Sequence, residues 1–182
     1  MRILGISGSL RRGSHNRKLL RAAAASVPPG IELVEWDGLA GLPAFDEDLE
    51  LTPPPPVRAF LEAVDQADAL LIATPEYNAS VPGALKNALD WASRPYGAHV
   101  LLGKPVAVIG ASTGAFGAAW AQAETRKVLS AVGADVLDAE LPVPAAHEAF
   151  TDSGALLDPS LADRLAGLLS SLAAAASHRA AA

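Results

Sequence analysis

The chain has 182 residues, which is enough to bury one core and predicts a single domain spanning residues 1–182. Its 14 Lys and Arg against 20 Asp and Glu give a formal charge of −6, which argues against nucleic acid and anionic membranes as partners. The absence of cysteine excludes disulfides, thiol nucleophiles and cysteine-ligated iron–sulfur clusters. Redox chemistry in this chain therefore requires a bound cofactor.

The sequence shows no export signal and no membrane segment. The apolar run at residues 3–6 is too short for the core of a signal peptide, and no segment has the roughly 20 apolar residues that span a bilayer. We therefore expect a cytoplasmic protein.

Short apolar runs alternate with longer helical patterns, which is typical of βαβ units and a parallel sheet. Strands are expected at residues 2–6, 31–35, 69–73, 105–109 and 135–137. Helices are expected at residues 16–26, 57–66, 83–92, 119–132 and 161–175. Five strands joined by right-handed crossovers fit either common doubly wound α/β order, and the chain length favours 2-1-3-4-5, with helices on both faces.

Two segments lie outside this pattern. Residues 36–56 end in four consecutive prolines and lack periodicity, so we expect a surface excursion there. The Ala-rich end, residues 173–182, could extend the last helix or fray.

Ligands of doubly wound sheets bind beyond the carboxyl ends of the strands, so the loops after strands one, three and four are expected to converge. The first loop has glycines, hydroxyls and arginines directly before a helix, a composition that favours binding of a phosphate at the helix N-terminus. It lacks the Gly-Lys-Ser/Thr of a nucleotide-binding P-loop and the spacing of a dinucleotide fingerprint. The alternative is structural: Gly8 and Gly13 turn the chain, and Ser14 or Asn16 caps the helix.

The loop after strand three, residues 74–83, is bracketed by Pro75 and Pro82 and is expected to be ordered. Its backbone, a Tyr ring and an Asn amide suit a planar heteroaromatic ring with polar edges. The loop after strand four, residues 110–118, is rich in small residues that allow close backbone approach to a ligand. Each loop alone could be a simple turn.

Together these loops resemble the NADPH-dependent FMN reductase family, particularly its chromate, quinone and azo-dye reductases. The resemblance rests on Gly8-Ser9-Leu10-Arg11 with Ser14 and Asn16, on the segment from Thr74-Pro75-Glu76-Tyr77-Asn78 through Trp91, and on Gly110-Ala111-Ser112-Thr113-Gly114. It implies a flavodoxin-like fold, FMN as cofactor, NADPH or NADH as co-substrate, and a homodimer or homotetramer.

By the same resemblance, the FMN phosphate would be held by Ser9, Arg11, Ser14 and Asn16. The flavin ring and ribityl chain would be lined by Pro75, Glu76, Tyr77 and Asn78, with Ser112, Thr113 and Gly114 at the opposite polar edge. His15 lies within the phosphate loop and is a further candidate contact. No catalytic side chain is assigned, because hydride transfer to a flavin needs no side-chain proton carrier, and Glu76 is expected to have a positioning role.

Other polar and aromatic residues are not assigned to the cofactor site. The four histidines lack metal-ligand spacing. Asp37 is interpreted as a surface turn, and Trp91 and Trp120 as core or subunit-contact residues. Arg126 and Lys127 could attract the NADPH phosphate, face a neighbouring subunit or lie on a solvated helix face.

The sequence therefore predicts an FMN-dependent NAD(P)H oxidoreductase that passes electrons, by a ping-pong cycle, to a small-molecule acceptor. Quinones are the first expectation, and chromate, azo compounds, nitro compounds and free flavin are alternatives. The rival function is that of a flavodoxin-type electron carrier reduced by a partner reductase. A phosphorylated receiver domain is excluded because its acidic residues are absent after strands one and three.

Overall fold

The computed structural model describes residues 1–181 and contains one five-stranded parallel sheet with the order β2-β1-β3-β4-β5. Its strands are β1 (Arg2–Ser7), β2 (Glu32–Trp36), β3 (Ala69–Thr74), β4 (Pro105–Ala111) and β5 (Asp135–Val143). Its helices are α1 (His15–Ser26), α2 (Pro55–Asp65), α3 (Gly83–Ala92), α4 (Ala119–Ala131) and α5 (Pro159–Ala181). The predicted doubly wound order is confirmed.

The sheet separates two apolar clusters. Ile3 packs with residues of α1 and α5 on one face, while Leu4 packs with α2, α3 and α4 on the other. Every residue of the central strands β3 and β4 is buried. Strands covered on both faces become continuous apolar runs, which is why these two were evident in the sequence.

The edge strand β5 is longer than predicted. It was expected to end at residue 137 but continues to Val143, with a register shift against β4 between Val106 and Val108. Exposed Asp138 and Glu140 interrupt its apolar pattern, and Pro142 is compatible with an edge strand because one side has no ladder partner. The extra length carries the chain to the carboxyl edge of the sheet.

The segment 36–56 is more structured than the predicted surface excursion. It contains two short 3₁₀ turns, and α2 begins within the prolines, at Pro55. The Pro43 carbonyl accepts hydrogen bonds from Asn87 Nδ2 and Trp91 Nε1, both at 2.9 Å. The Phe45 ring packs edge-on against the buried Trp91. This segment therefore anchors α3, and Trp91 is a core residue.

The C-terminal helix α5 packs along the sheet through Leu165, Leu169 and Leu172. Its Ala-rich end continues as helix through Ala181, and Ala182 lies outside the described residues. Within residues 1–181, no helix combines the length and the apolar character needed to cross a membrane.

A buried lysine closes the amino edge of the sheet. Lys104, just before β4, is 2% exposed, and its ammonium donates to the carbonyls of Ala67 at 2.6 Å and Asp65 at 3.1 Å. Burial, followed by the charge of Arg179, lowers the pKa of Lys104. The same side chain thus joins the end of α2 to the start of β4.

Candidate active site

The loop after β1 turns tightly against the end of β3. The Gly8 amide donates to the Ala73 carbonyl at 2.9 Å. A Cβ on Gly8 would lie 3.0 Å from Leu85 Cδ2 and 3.1 Å from Pro75 Cδ, so glycine permits this close approach. At the end of the loop, Ser14 Oγ accepts the Arg17 amide at 3.2 Å and caps α1. The helix-capping alternative for Ser14 is therefore present, while its hydroxyl hydrogen stays free to donate.

Asn16 ties the start of α1 to the end of β4. Its amide nitrogen donates to the Ala111 carbonyl and its amide oxygen accepts the Ala111 amide, both at 2.9 Å. The side chain is 2% exposed. Its observed contribution is to hold two loops together, and its contact with an FMN phosphate stays a prediction.

The loop after β3 is ordered by a tight turn. The backbone groups of Tyr77 and Ser80 exchange two hydrogen bonds of 3.1 Å, and Asn78 and Ala79 between them have φ of 54° and 57°. Such left-handed pairs are typical of two-residue type I′ turns. The turn presents the Tyr77 side chain, which is 47% exposed, at the mouth of the cleft described below.

Two carboxylates fasten this loop to α4. Glu76 Oε2 accepts the Ala121 amide at 3.1 Å, in the first turn of the helix. Glu124 Oε2 accepts the Val81 amide at 3.3 Å. Hydrogen bonding from Ser80 and then from Val81 lowers the pKa of Glu124. Glu76 is thus engaged with a helix N-terminus, which agrees with a positioning role.

A fourth loop, after β5, supports the loop after β4. The Ser112 amide donates to the Val143 carbonyl at 3.1 Å, the Ala146 amide to the Ser112 carbonyl at 3.0 Å, and the Ala145 amide to the Gly114 carbonyl at 3.3 Å. This loop was not predicted from the sequence, because β5 was expected to end at residue 137 and not at Val143. The apolar residues Leu141 and Val143, spaced by two, were the available signal.

The loops after β1, β3 and β4 line a cleft of about 130 Å³ at the carboxyl edge of the sheet. Ten of the twelve predicted cofactor contacts line it: Ser9, Arg11, Ser14, His15, Asn16, Pro75, Glu76, Tyr77, Ser112 and Thr113. Asn78 and Gly114 belong to the same loops but are not among its lining residues.

The cleft has the electrostatic character of an anion site. It opens at the N-terminus of α1, whose first amides have no partner within the helix and whose first turn contains no acidic residue. His15 Nδ1 is buried without a hydrogen-bond partner. Burial, followed by Lys18, Arg11 and His147, lowers the pKa of His15. With the Arg11 side chain alongside, this donor set fits the phosphate group of a mononucleotide.

A second cleft of about 390 Å³ adjoins the first and shares Arg11 and Tyr77 with it. Its other lining residues are small or apolar: Gly8, Leu10, Pro82, Gly83 and Ala84. Cofactor sites usually have volumes of roughly 300–1000 Å³, so the polar cleft alone is small and the pair is adequate.

Arg126 and Trp120, which were also considered from the sequence, lie outside the two clefts. Arg126 faces Asp138 at 3.8 Å and Glu140 at 3.4 Å, so its charge is already neutralised. Trp120 is 51% exposed and packs on Phe116, with ring centroids 4.8 Å apart. Neither residue lines the two clefts.

Known proteins similar to this chain identify its family. Residues 1–148 match the model of the NADPH-dependent FMN reductase family. The chain belongs to this family. A relative from Pseudomonas aeruginosa, named NAD(P)H-dependent FMN reductase, is 47% identical over 160 residues, covering 87% of this chain and 85% of that protein.

Further relatives are reductases of small molecules. A quinone reductase of Pseudomonas putida is 41% identical over 157 residues, covering 84% of this chain and 83% of its own. The solved structure of a flavoenzyme NAD(P)H:(acceptor) oxidoreductase from Paracoccus denitrificans superposes with a TM-score of 0.85 at 34% identity, covering 97% of each chain.

Membership of the family confirms several expectations from the sequence. This chain is an oxidoreductase with a flavodoxin-like fold, and it uses FMN and NAD(P)H. These findings favour an enzyme over the electron-carrier alternative.

Proposed function

We propose that this FMN reductase family member is an NAD(P)H:quinone oxidoreductase whose FMN binds in the cleft at the carboxyl edge of the sheet. The observation that carries the proposal is the convergence of ten predicted contacts, from three separate loops, on one cleft. The adjoining apolar cleft provides space for a planar molecule beside Tyr77.

The chain's own residues would hold the cofactor by its phosphate. The amides at the start of α1, the Ser14 hydroxyl and the Arg11 guanidinium are donors suited to a dianion. Asn16 keeps these donors opposite Ser112 and Thr113 through its two hydrogen bonds to Ala111. Bound FMN would supply the two-electron chemistry by which NAD(P)H is oxidised and the acceptor reduced.

The loop after β3 would orient the flavin ring. Its hairpin turn and the two carboxylate contacts to α4 hold Tyr77 in place. We propose that Pro75, Glu76, Tyr77 and Asn78 lie along one side of the ring and Ser112, Thr113 and Gly114 along the other. One face of the ring then stays open for a second planar molecule.

A single open face implies that the nicotinamide and the acceptor bind in turn, which is a ping-pong mechanism. Quinones are the acceptor class that we favour, because the adjoining cleft is mostly apolar and several relatives are named quinone reductases. Chromate, azo compounds, nitro compounds and free flavin are the alternatives. We further propose a cytoplasmic homodimer or homotetramer.

Anaerobic stopped flow tests this proposal. NADPH or NADH alone should bleach the FMN absorbance at a rate of roughly 1–1000 per second, typical of enzymes, and a quinone added afterwards should restore it. Initial rates at several quinone concentrations should give parallel double-reciprocal plots. Bleaching only in the presence of quinone, or intersecting plots, would contradict the ping-pong cycle. A flavin that stays oxidised under both nicotinamides would contradict the enzyme itself.

A further inference from the structure

Gln122 is a fully buried polar side chain near the start of α4, and it lines neither of the two clefts. Its amide nitrogen donates to the carbonyls of Gly117 at 3.1 Å and Ala118 at 3.4 Å. Its amide oxygen accepts the Leu141 amide at 3.0 Å. All three partners are backbone groups, so this one side chain fixes the course of the main chain at two separate places.

The first of these places is the turn that leads from the loop after β4 into α4. Gly117 and Ala118 have φ of 56° and 64°, and Ala118 is the N-cap of α4 without any side-chain capping bond. A Cβ on Gly117 would lie 2.5 Å from the Val143 nitrogen, so the turn is packed directly against the end of β5. A non-glycine residue in the left-handed region is uncommon and is kept there by its surroundings. Because both carbonyls of the turn accept from Gln122, this side chain stabilises the turn.

The second place is the last part of the edge strand β5. The register of β5 against β4 shifts before residue 140, and the Leu141 amide donates to Gln122 just after this irregularity. Two residues further on, the Val143 carbonyl accepts the Ser112 amide at 3.1 Å. The bond from Leu141 therefore holds the stretch of β5 that supports the loop after β4.

The start of α4 fits closely against the carboxyl edge of the sheet. A Cβ on Gly110 would lie 2.8 Å from Gln122 Nε2 and 2.9 Å from the Thr74 carbonyl oxygen, so β4 has no side chain where the glutamine amide lies. The preceding residue, Ala121, donates its amide to Glu76 at 3.1 Å. Two consecutive residues of α4 thus contact the loop after β3 and the loop after β4.

We propose that Gln122 is a positioning residue of the cofactor site, which acts through the loop after β4 and does not touch the cofactor. Its amide holds the turn at Gly117 and the end of β5, and these two elements keep Ser112, Thr113 and Gly114 where they border the flavin. The position of the flavin beside this loop rests on the proposed function. The effect of Gln122 on the loop rests only on its own hydrogen bonds.

Hydrogen exchange in the FMN-free protein tests the effect on the loop. Gln122→Met keeps an unbranched side chain of similar length and removes the hydrogen bonds of the amide. The backbone amides of Ser112 and Ala146 should then exchange about tenfold faster than in the wild type, since the loops lose the equivalent of one buried hydrogen bond. Thr125→Val is the matched control, because Thr125 is equally buried on the same helix and loses only its bond to the Ala121 carbonyl. Unchanged exchange in Gln122→Met would overturn the proposal.

FMN affinity and the reduction potential of bound FMN test the positioning role. In Gln122→Met, the affinity should fall about five- to tenfold, because the displaced loop loses a hydrogen bond to the flavin. The midpoint potential should become more negative, because backbone donors beside the flavin stabilise the charge that it gains on reduction. Thr125→Val should match the wild type in both measurements. Faster loop exchange in Gln122→Met with wild-type affinity and potential would overturn the positioning role.

Gln122→Glu provides a reversible form of the same test. A protonated carboxyl group accepts the Leu141 amide and donates to the Gly117 carbonyl, whereas an ionised carboxylate has no donor. Burial raises the pKa of a carboxyl group at this position. The FMN affinity, divided by that of the wild type at the same pH, should therefore be near one at about pH 6 and fall to the Gln122→Met value at about pH 9. The same ratio at both pH values would overturn the role of the amide donor.

The same experiments distinguish this inference from the proposed function. If FMN slowed the exchange of no amide in residues 112–114 of the wild-type protein, the flavin would lie elsewhere. The proposed site and the positioning role would then both fail, and only the effect of Gln122 on the loop would remain. If FMN protected these residues but Gln122→Met changed neither loop exchange nor affinity, the proposed site would stand and the assignment of Gln122 would be overturned.

Discussion

The polar groups at the two edges of the sheet differ in their hydrogen-bond partners. At the amino edge, Lys104 donates to two carbonyls and the Arg2 amide donates to Asp68 Oδ2 at 2.7 Å, while Arg2 Nε is buried without a hydrogen-bond partner. At the carboxyl edge, His15 Nδ1 is buried without a hydrogen-bond partner. The first backbone amides of α1 also have no hydrogen-bond partner within the helix. The hydrogen bonds of the amino edge therefore contribute stability, whereas the carboxyl edge also has backbone amides at a helix N-terminus that can bind a ligand.

The largest expected effect is on the amino edge. Lys104→Ala leaves the carbonyls of Asp65 and Ala67 without their donor and opens a cavity, so it should lower the free energy of unfolding by about 3 kcal/mol. Urea unfolding followed by circular dichroism measures the loss. Its FMN affinity, measured on the folded protein, should equal that of the wild type. Weaker FMN binding by this variant would contradict the claim that the amino edge affects stability and not FMN binding.

Asn16→Ala is expected to lower both the free energy of unfolding and the affinity for FMN. It leaves the Ala111 amide and carbonyl unpaired in a buried position and should lower the free energy of unfolding by about 2 kcal/mol. FMN binding should weaken as well, because Asn16 holds the first loop against the loop after β4. Unfolding and fluorescence-quenching titrations are run on the same samples. A variant that lost FMN affinity at full stability would identify Asn16 as a ligand alone.

Arg11→Ala is expected to change FMN binding at the carboxyl edge with little effect on stability. Loss of a charge-assisted hydrogen bond to phosphate should weaken FMN binding by about 1.5–3 kcal/mol, with little change in unfolding. Arg12→Ala is the matched control, because this neighbouring arginine lines neither cleft. Equal FMN affinities for the two variants would place the phosphate elsewhere.

Ser14→Ala should give a smaller, mixed result. Removing the N-cap of α1 costs about 1 kcal/mol of stability. Loss of a neutral hydrogen bond to the phosphate costs roughly another 1 kcal/mol of binding. Ser14→Gly is the comparison, since glycine at an N-cap restores most of the capping stability but supplies no hydroxyl. FMN affinity restored by Ser14→Gly would show that the hydroxyl makes no contact with FMN.

The smallest effect concerns pH. Burial, with Lys18, Arg11 and His147, keeps the pKa of His15 below 6.5 in the free protein, and a bound phosphate should raise it. Binding then takes up a proton, so FMN affinity should rise severalfold as the pH falls from 8 to about 6.5. The same lowered pKa makes the fold less stable as the pH falls below 6.5, because the unfolded chain then binds more protons. In His15→Gln, both pH dependences should flatten, and an unchanged FMN profile would remove His15 from the site.

Much of the fold was predictable because the buried parallel strands are continuous apolar runs with helices between them. Polar side chains were harder to interpret. The sequence placed Ser14 and Asn16 in the loop that lines the polar cleft and offered either one as the helix cap. It could not show that Ser14 is the cap and that Asn16 binds the Ala111 backbone, because a composition does not specify hydrogen-bond partners. The end of β5 was missed because charges and Pro142 obscured its pattern.

Amide chemical-shift mapping by ¹⁵N NMR tests most directly whether FMN binds at the carboxyl edge. The wild-type protein is titrated with FMN, and perturbations are compared between the two edges. We predict that the large changes fall at residues 8–16, 75–80 and 111–114, with little change at residues 65–68 and 101–104. Perturbations concentrated at the amino edge, or absent from the three loops, would contradict the assignment of the cofactor site.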